Sequence, residues 1–552
     1  MTALLTDNLS LLAGAPNGIK KLRELILELA VRGKLVPQDP SDEPASELLN
    51  LLITEARDTT GRGKAKRQAL PEVCESEQPY ILPNGWAWGR LGDVTEILDS
   101  LRRPVTKQDR KPGPYPYYGA SGVVDYVSAY IFDEPLVLVG EDGAKWGVGE
   151  RTAFSITGKT WVNNHAHVLR PKRDAVCDDY LVISLTAQDL SQFITGMTVP
   201  KLNQARLTSI GIPLPPLAEQ HRIVAKVDEL MALCDRLEAQ QADAESAHAL
   251  LVQALLHSLT QAADAEDFAA SWQRLAENFH TLFTTESSID ALKQTLLQLA
   301  VMGKLVPQDP NDEPASELLK RIAKEKARLV AEGKLKKQKP LAEIDESEMS
   351  FEPPSGWKWQ RFAEFALDVS TGPFGSLIHQ SDYVDGGVPL VNPSHMVDGR
   401  IVADSSVSLL PERAVSLDSY RLSAGDIVMA RRGEVGRAAL VTEAEEGWLC
   451  GTGSFVLRFT SEISRAYVWI LFRCHSVRTY LAGAAVGTTM VNLNHGILLK
   501  MPIAVPPIIE QHRIVAKVDQ LMALCDQLKT RLTQARQLNE RLATALVEQA
   551  VA

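Results

Sequence analysis

Several short motifs carry residues that could perform chemistry on phosphate. The stretch Ala153–Thr160 ends in Gly158-Lys159-Thr160 and fits a relaxed phosphate-loop pattern. That loop works only when a helix follows it, because the N–H groups of the first helical turn then point at the phosphate. The continuation, Trp161–Val168, alternates like a β-strand instead. The motif Gly451–Gly453 lacks the third glycine of a dinucleotide loop. We therefore expect no nucleotide site at either position.

Carboxylates and histidines in strand-like sequence are the other candidates for catalysis. The segment Glu141–Lys145 places two carboxylates near a lysine, as metal-dependent nucleases do, but its Asp-Gly pair is more typical of a turn between strands. His165 and His167 lie in strand-like sequence, and we predict that they alternate across the strand and face opposite sides. The sequence holds no Asn/Asp-Pro-Pro-aromatic motif of amino-methyltransferases. We expect neither a catalytic site nor a metal site.

Basic side chains cluster in both halves of the chain, as nucleic-acid binding requires. The first cluster comprises Arg102, Arg103, Lys107, Arg110 and Lys111, followed by Tyr115, Tyr117 and Tyr118. The second comprises Arg431, Arg432 and Arg437. Two further basic tracts, at matched positions ahead of the clusters, are Arg62–Arg67 and Lys334–Lys339. A basic run is often only a solvated surface, but four runs placed symmetrically favour nucleic-acid contact.

The composition is that of a soluble globular protein. The chain has 552 residues, of which 45% are hydrophobic and 23% charged, and at roughly 100–200 residues per domain it holds several domains. No apolar run reaches the roughly 18–20 residues that a membrane helix needs. The six cysteines form no CxxC pair, and Met1–Leu12 lacks the features of a secretion signal. We expect a cytoplasmic protein with reduced thiols and no membrane contact. The net charge of −11 describes only the average over the chain.

The chain repeats itself, and the repeat defines its organisation. Residues 22–49 and 292–319 are identical at 21 of 28 positions. Residues 219–237 and 510–528 differ at only two of 19 positions. Between these matched segments the two halves share little sequence. The chain therefore contains two copies of one unit, in which conserved helices flank a variable domain.

The second matched segment of each copy predicts a long helix. Pro215-Pro216 and Pro506-Pro507 precede it, and proline is tolerated at a helix start. Apolar residues then recur at alternating spacings of three and four, which is the seam of a coiled coil. The seam residues are Ile223, Val227, Leu230 and Leu237 in the first copy and Ile514, Val518, Leu521 and Leu528 in the second. The same heptads continue to Ala244 and Leu251, and to Leu542. We predict that the two helices pair with each other as an intramolecular antiparallel coiled coil.

The variable regions contain short β-rich runs separated by Gly, Pro, Asp and Asn, such as PLVLVGEDG (135–143) and GSFVLRF (453–459). We predict an α+β fold with two β-rich domains joined by long conserved helices, related by a pseudo-twofold internal duplication. The predicted parts are an N-terminal conserved region at 1–76, a first β-rich domain at 77–216, a central helix at 217–259, an acidic connector without an apolar stripe at 260–290, a second conserved region at 291–350, a second β-rich domain at 351–507, and a C-terminal helix at 508–552.

The sequence resembles the DNA specificity subunit of Type I restriction–modification systems, in the enterobacterial-type branch. The resemblance is carried by LAVRGKLVPQDPSDEPASELL (29–49) and LAVMGKLVPQDPNDEPASELL (299–319), and by the helix starts PPLAEQHRIV (215–224) and PPIIEQHRIV (506–515). Family-like motifs of the variable domains are Tyr118–Gly122, Asn164–Val168, Gly372–Ser376 and Gly425–Ile427. The resemblance spans essentially the whole chain.

The resemblance implies a function and a set of partners. Each target-recognition domain is expected to read one half of a bipartite site in double-stranded DNA, and the paired helices to space the two domains. Two modification (methyltransferase) subunits and two restriction (nuclease and translocase) subunits are expected to assemble on the chain. S-adenosylmethionine, ATP and Mg are expected on those partners and not on this chain, which is then non-catalytic on its own. The alternatives from the residues alone are an enzyme with unrecognised motifs and a coiled-coil adaptor without a DNA role.

Glycine-bounded loops that carry Arg, Lys, Asn, Thr and Tyr have the chemistry to read DNA, because Arg pairs with guanine edges, Asn with adenine, and Lys with phosphate. Two such loops, Gly196–Asn203 and Gly487–Asn494, occupy matched positions ahead of the long helices. The candidate DNA-contact residues are Arg102, Arg103, Lys107, Arg110, Lys111, Tyr117, Tyr118, Ser121, Lys145, Thr198, Lys201, Ser376, Asn392, His395, Arg431, Arg432, Arg437, Thr488, Thr489 and Asn492.

Overall fold

The computed structural model describes residues 12–58, 70–196, 198–263, 265–373, 377–484 and 493–551. It divides into two compact units, each containing one recognition domain. Unit 1 comprises Met1–Glu245 and Gln534–Ala552, and unit 2 comprises Ser246–Thr533. None of the helices described is long and apolar enough to cross a membrane.

Unit 1 contains the first conserved helices and a ten-stranded recognition domain. Its helices are α1 (Gly18–Val31), α2 (Ala45–Asp58), α3 (Leu91–Val94), α4 (Asp178–Thr186), α5 (Gln204–Thr208) and the first part of α6 (Leu217–Gln261). Its strands are β1 (Ala87–Arg90), β2 (Thr95–Ile97), β3 (Pro112–Gly119), β4 (Gly122–Val127), β5 (Phe132–Asp133), β6 (Leu136–Gly140), β7 (Ala153–Ile156), β8 (Lys159–Val162), β9 (Ala166–Pro171) and β10 (Gly211–Leu214).

Three sheets build the recognition domain of unit 1. An antiparallel sheet has the order β2-β9-β6-β7, and a mixed sheet has the order β4-β3-β8-β5 with β3 parallel to β8. The first and last strands, β1 and β10, form a separate antiparallel pair. The Gly-Lys-Thr motif at 158–160 lies at the turn from β7 into β8, so a strand and not a phosphate-binding helix follows it, as predicted. The strand predicted over 161–168 is, however, divided by a turn at 164–165 into β8 and β9.

Unit 2 repeats this arrangement with different loops. Its helices are α7 (Ala265–Glu277), α8 (Phe279–Leu282), α9 (Glu286–Val301), α10 (Ala315–Ala331), α11 (Phe362–Phe365), α12 (Pro411–Val415), α13 (Arg465–Arg473), α14 (His475–Ala484), α15 (His495–Lys500) and α16 (Ile508–Val551). Its strands are β11 (Lys358–Arg361), β12 (Asp368–Thr371), β13 (Val388–Val391), β14 (Met396–Val397), β15 (Arg400–Ile401), β16 (Ser408–Leu409), β17 (Ile427–Ala430), β18 (Ala438–Leu440), β19 (Leu449–Cys450), β20 (Ser454–Arg458) and β21 (Pro502–Val505).

One four-stranded sheet and the terminal strand pair of unit 2 correspond to those of unit 1, whereas the mixed sheet differs: it has the three strands β16-β13-β19, and β14 and β15 form a separate hairpin. The antiparallel sheet β12-β20-β17-β18 matches β2-β9-β6-β7, and β13 runs parallel to β19 as β3 does to β8. The first and last strands again pair with each other, here β11 with β21. The α+β fold and the internal duplication are therefore confirmed.

An arginine at the end of the first strand fixes both ends of each recognition domain. Arg90 donates to the carbonyl oxygens of Pro71 and Ser209, at 3.0 and 2.7 Å, and forms an ion pair with Glu77. The second copy repeats these bonds with Arg361, Ala342, Lys500 and Glu348. Because one guanidinium bonds to both the entry and the exit of the domain, the two ends stay together whatever sequence lies between them.

A buried carboxylate near the start of each long helix connects it to the preceding conserved segment. Glu219 accepts hydrogen bonds from Trp86 Nε1 at 3.1 Å and from Gln38 Nε2 at 3.2 Å. The second copy has the same bonds between Glu510, Trp357 and Gln308, both at 2.8 Å. Burial raises the pKa of Glu219 and of Glu510 above the ordinary value, and the donors limit that rise. These contacts use the residues that the two copies share.

The long helices pack antiparallel, as predicted. In unit 1 the start of α6, with Ile223 and Val227, shares one hydrophobic core with Ala543 and Ala550 at the end of α16. In unit 2 the end of α6 shares a core with the start of α16; its members are Val252, Leu256, Leu259, Ile514, Val518 and Cys525. The predicted seam residues Leu230, Leu237, Leu521 and Leu528 are partly buried against these cores.

The prediction of one continuous heptad seam is wrong in the second half of both helices. Ala244, Leu251 and Leu542 are exposed. Val252, which follows Leu251, and Ala543, which follows Leu542, are buried instead. Eight turns of an ordinary helix take about 29 residues, which is the spacing from Ile223 to Val252, whereas strict heptads take about 28. The helices therefore keep the ordinary α-helical period and bury two separate apolar stretches.

The segment 260–290 does contain an apolar stripe, contrary to the sequence analysis. It forms α7, α8 and the start of α9. Leu275, Leu282, Phe283 and Ile289 are buried in the core of unit 2. The stripe was missed because these residues belong to three helices with turns between them, so no single period runs through the segment.

Substitutions on α16 should distinguish its buried stretch from its exposed surface. Ile514→Ala should lower the free energy of unfolding by about 2–5 kcal/mol, because the side chain is fully buried and its removal leaves a cavity. Leu524→Ala, on the same helix at a side chain that is 49% exposed, should change it by less than about 0.5 kcal/mol. Urea denaturation followed by circular dichroism measures both, and equal losses would contradict the assigned helix face.

Candidate nucleic-acid interface

Two loops occupy the same backbone position in the two recognition domains. The first strand-end loop, Glu141–Lys145, follows β6, and the second strand-end loop, Arg431–Val435, follows β17. Each begins with two charged residues and continues with a glycine in the left-handed region, Gly143 at φ 69° and Gly433 at φ 72°. A side chain is strained at such angles, which explains the glycine in both loops. The turn predicted at Asp142-Gly143 is confirmed.

Backbone hydrogen bonds show that the two loops are equivalent. The N–H of Glu141 donates to the carbonyl oxygen of His165 at 2.8 Å, and its carbonyl oxygen accepts from the N–H of Leu202 at 2.8 Å. In unit 2 the residue at the position of Glu141 is Arg431, bonded to Gly453 at 2.9 Å and to Leu493 at 2.8 Å. Equivalent backbone positions therefore carry Glu-Asp in one domain and Arg-Arg in the other.

Ion pairs neutralise the first residue of the loop in unit 1. Glu141 is buried and bonds to the Arg102 guanidinium and to Lys201 Nζ, the latter at 2.8 Å. Arg102 also pairs with Asp99 at 3.3 Å. Lys201 is further held by two backbone bonds with Thr195, at 2.8 and 2.9 Å, so the loop around Thr198 is closed at its base.

A buried histidine completes this network. His167 Nδ1 lies 2.5 Å from Asp99 Oδ2, and its Nε2 lies 2.7 Å from the carbonyl oxygen of Leu202. Possible metal-ligating atoms of Asp99, Glu141 and His167 lie within 4.8 Å of one another. All three side chains are, however, bonded to Arg102, Lys201, Leu202 or each other, so the arrangement is a charge-balanced link between the loop and the sheet.

The second residue of the loop in unit 1 is partly accessible. Asp142 Oδ1 lies 2.5 Å from Nδ1 of His165, and the two side chains are 20% and 51% exposed. His167, by contrast, is 1% exposed. The two histidines differ in exposure because His165 lies in the turn before β9 and His167 lies within β9. The prediction that they alternate along one strand is wrong, since residues two apart in a strand face the same side.

The two arginines of the loop in unit 2, and Arg437 just after it, have three different environments. The Arg431 guanidinium lies over the ring of Phe455, 5.4 Å from its centroid, and burial lowers the pKa of Arg431. Arg437 forms an ion pair with Glu434. Arg432 is exposed and, among the described residues, has no ion-pair partner.

The other candidate residues fall into three groups. Those at least partly accessible are Arg103, Lys107, Arg110, Lys111, Tyr118, Ser121, Lys145, Thr198, Lys201 and Asn392. Those committed to internal contacts are Arg102, in the network above, Tyr117, which is 1% exposed and accepts a bond from the Val105 N–H, and His395, which is buried and bonds to the Leu390 carbonyl. Arg110, paired with Asp125 at 3.1 Å, and Lys201, paired with Glu141, are partly accessible but engaged in ion pairs as well. Those outside the described residues are Ser376, Thr488, Thr489 and Asn492, together with the basic tract Arg62–Arg67.

Sequence reasoning missed two residues of this surface, Asp142 and His165. The signal that could have found them is the alignment of LVGEDG (138–143) with VMARRG (428–433), which places an apolar run before two charges and a glycine in both domains. That alignment was hard to see because no residue of the run except the glycine is identical in the two copies.

Two β-rich domains of one topology, each displaying a loop of charged side chains and each held by a conserved helix pair, define a two-domain binding protein. The model of the Type I restriction modification DNA specificity domain matches residues 83–245 and 375–536. The chain belongs to this family and is a DNA specificity subunit of a Type I restriction–modification system. The resemblance seen in the sequence is thereby confirmed.

Relatives match along almost the whole chain. The specificity subunits of the Type I restriction enzymes EcoEI and EcoAI, both from Escherichia coli, are each 36% identical over 97% of this chain and 94% of their own length. A chain from a solved structure describing complex assembly and conformational transition of the type I R-M system is 19% identical, with a TM-score of 0.48 over 86% of this chain and 99% of that one.

The network around Asp99 makes the stability of unit 1 depend on pH. Burial alone would raise the pKa of this carboxyl, but the hydrogen bond and charge of His167, the Val168 N–H and the charge of Arg102 outweigh it, and the pKa lies below its ordinary value. A lowered pKa contributes stability that is present above the unfolded-state value and is lost as the pH falls through the folded-state value. We expect Asp99→Asn to lower the free energy of unfolding by on the order of 3 kcal/mol at pH 7.

The difference between wild type and Asp99→Asn should begin to shrink as the pH falls below about 4, because the carboxyl then becomes protonated in the unfolded chain while the lowered pKa keeps it charged in the folded protein. Urea denaturation at several pH values between 7 and 3 measures it. Asp174→Asn is the control, because Asp174 is exposed and follows the far end of β9. A difference that stayed constant over this range would show that the charge of Asp99 is not what stabilises the network.

Proposed function

We propose that the recognition domains at 77–216 and 351–507 each read one half of a bipartite, asymmetric site in double-stranded DNA. The observation that carries the proposal is the pair of strand-end loops, whose main chains make equivalent hydrogen bonds and whose side chains differ in charge. Packing accounts for the common backbone but not for exposed residues of opposite charge. An asymmetric two-part site requires two domains of the same backbone structure that present different side chains to the DNA.

We further propose that the conserved helices carry two copies of the same partner, the modification subunit, and that two restriction subunits join this assembly. In support, exposed residues of the long helices are identical in the two copies. His221 and Asp228 on α6 correspond to His512 and Asp519 on α16, and all four are exposed. Internal packing does not require them, whereas a partner that docks twice does.

The catalytic groups and cofactors of the system belong, in this proposal, to the partners. S-adenosylmethionine is assigned to the modification subunit, and ATP and Mg to the restriction subunit. The buried acidic and histidine side chains of unit 1 support this assignment, because their polar atoms are bonded to Arg102, Lys201 and the Leu202 carbonyl within the chain. The purified chain alone, incubated with S-adenosylmethionine and DNA, should transfer no methyl group.

The proposal predicts that the two half-sites can be changed independently. Replacing 351–507 by the second recognition domain of another specificity subunit should change one half-site and leave the other intact. Arg361 lies inside the exchanged range and bonds to Ala342 outside it, so the incoming domain has to carry an arginine at this position to keep the two ends joined. Mapping of methylated adenines by the whole methyltransferase complex gives the recognised sequence before and after the exchange.

Two outcomes would contradict the proposal. A change in both half-sites after the exchange would show that the domains do not read separately. Methyl transfer by the purified chain without a partner would show that this subunit is itself an enzyme. An exchange of 77–216 is the matched control, because it should change only the half-site that the first exchange left intact.

A further inference from the structure

The two strand-end loops differ at one accessible position in a way that has direct consequences for base recognition. The second residue of each loop is Asp142 in unit 1 and Arg432 in unit 2. Both precede a glycine in the left-handed region, and both follow a residue whose N–H and C=O are bonded to equivalent segments. The two side chains therefore leave the main chain at the same point with opposite charge.

We propose that Arg432 reads a guanine edge in one half-site and that Asp142, oriented by His165, reads an exocyclic amino group of a base in the other. This rests on the proposed function, in which the two domains read separate half-sites. In the major groove an arginine donates to O6 and N7 of guanine, and a carboxylate accepts from the amino group of cytosine, or of adenine. The charge at this position thus sets which kind of base edge each domain accepts.

The surroundings of Arg432 differ from those of Arg431 and Arg437. Arg437 is neutralised by Glu434, and Arg431 lies on the Phe455 ring. Gly453, which lies in the left-handed region at φ 83°, borders Arg432: a Cβ there would lie 3.5 Å from Arg432 Cδ. An exposed guanidinium flanked by a glycine is suited to insertion into a groove.

Asp142 has one oxygen engaged and one available. Oδ1 faces His165 Nδ1, while Oδ2 has no hydrogen-bond partner among the described residues. Asp142 also pairs through its backbone with Lys201, whose ammonium neutralises Glu141 at 2.8 Å. The neighbouring carboxylate of Glu141 therefore adds no unpaired negative charge beside Asp142, which reduces the repulsion between this part of the loop and DNA.

The test uses the whole methyltransferase complex, assembled from the full chain and its modification subunit. It methylates a library of double-stranded DNA with randomised half-sites, and sequencing of methylated adenines gives the preference at every position. Arg432→Gln should reduce the preference for guanine at one position of one half-site by about 5- to 150-fold, the discrimination that a bidentate pair supplies. The other half-site should not change.

Asp142→Asn should change one position of the opposite half-site. An asparagine donates as well as accepts, so a preference for cytosine should shift towards adenine, and a preference for adenine should be retained with a changed strength. His165→Ala should weaken the preference at that same position, because it frees the carboxylate to rotate. An effect of His165→Ala spread evenly over the half-site would instead assign it a structural role.

Two exposed residues away from these loops provide matched controls. Arg400→Gln removes an exposed arginine from the β14–β15 hairpin of the same domain as Arg432, and Asp174→Asn removes an exposed carboxylate from the domain of Asp142. Neither should alter the preference at any position. Both variants also show whether loss of a surface charge by itself lowers methylation.

The outcomes separate this inference from the proposed function. A uniform loss of methylation over all sequences in Arg432→Gln would make it a phosphate contact and overturn base reading, as would unchanged preferences in both loop variants. In either case a wild-type complex that still recognises a bipartite site leaves the proposed function standing. A wild-type complex without sequence preference would overturn the proposed function itself.

Discussion

In each copy of the repeat, one buried carboxylate at the start of a long helix accepts hydrogen bonds from a tryptophan and a glutamine that lie far away in the sequence. Glu219 joins α6 to Trp86 and to Gln38, and so brings together the segment before the recognition domain and the helix after it. Removing any one of the three partners would leave a buried charge or donor unpaired, at a cost of about 1–3 kcal/mol. Their retention in both copies follows from this mutual dependence.

The rest of each unit depends on that closed frame. A second link, the ion pair of Arg222 with Asp42, is repeated by Arg513 with Asp312. With the frame closed and the domain ends joined by a short strand pair, the interior of the recognition domain has to supply only its own core. Its loops can then diverge without loosening the helices, which explains why near-identity and dissimilarity alternate so sharply along one chain.

The sequence could predict the elements whose periodicity is long, and it failed where a one-residue register decides the outcome. The antiparallel helices follow from apolar spacing, but a heptad pattern and an ordinary helix differ by only one residue over eight turns, which exchanges Leu251 for Val252. The same limit applies to strands, where successive residues face opposite sides: Tyr117 is buried and Tyr118 is not. Nothing in the local sequence distinguishes the two tyrosines, so the sequence predicts both as surface residues.

For the candidate site, too, the sequence could predict where basic residues cluster but not which of them are accessible. Basic clusters were visible in the sequence, and Arg432 belongs to one of them. Arg102 belongs to another, yet it is committed to the carboxylates of Asp99 and Glu141, which are three and 39 residues away. Only the fold brings Glu141 to Arg102, since the two lie on segments that meet through the sheet. Counting charges along the chain cannot separate a paired arginine from an accessible one.

The opposite charges of the two loops also show why recognition has to change by whole domains. Beneath the loop, His167 on β9 in unit 1 and Phe455 on β20 in unit 2 occupy equivalent positions, opposite Val139 and Met429. The first belongs to the network that neutralises Glu141, and the second supplies an aromatic face for Arg431. A loop transferred alone would place Arg431 beside Arg102 and Lys201, or Glu141 against an aromatic ring, and would leave a partly buried charge without its partner. The side chains at the surface therefore change together with the core that supports them.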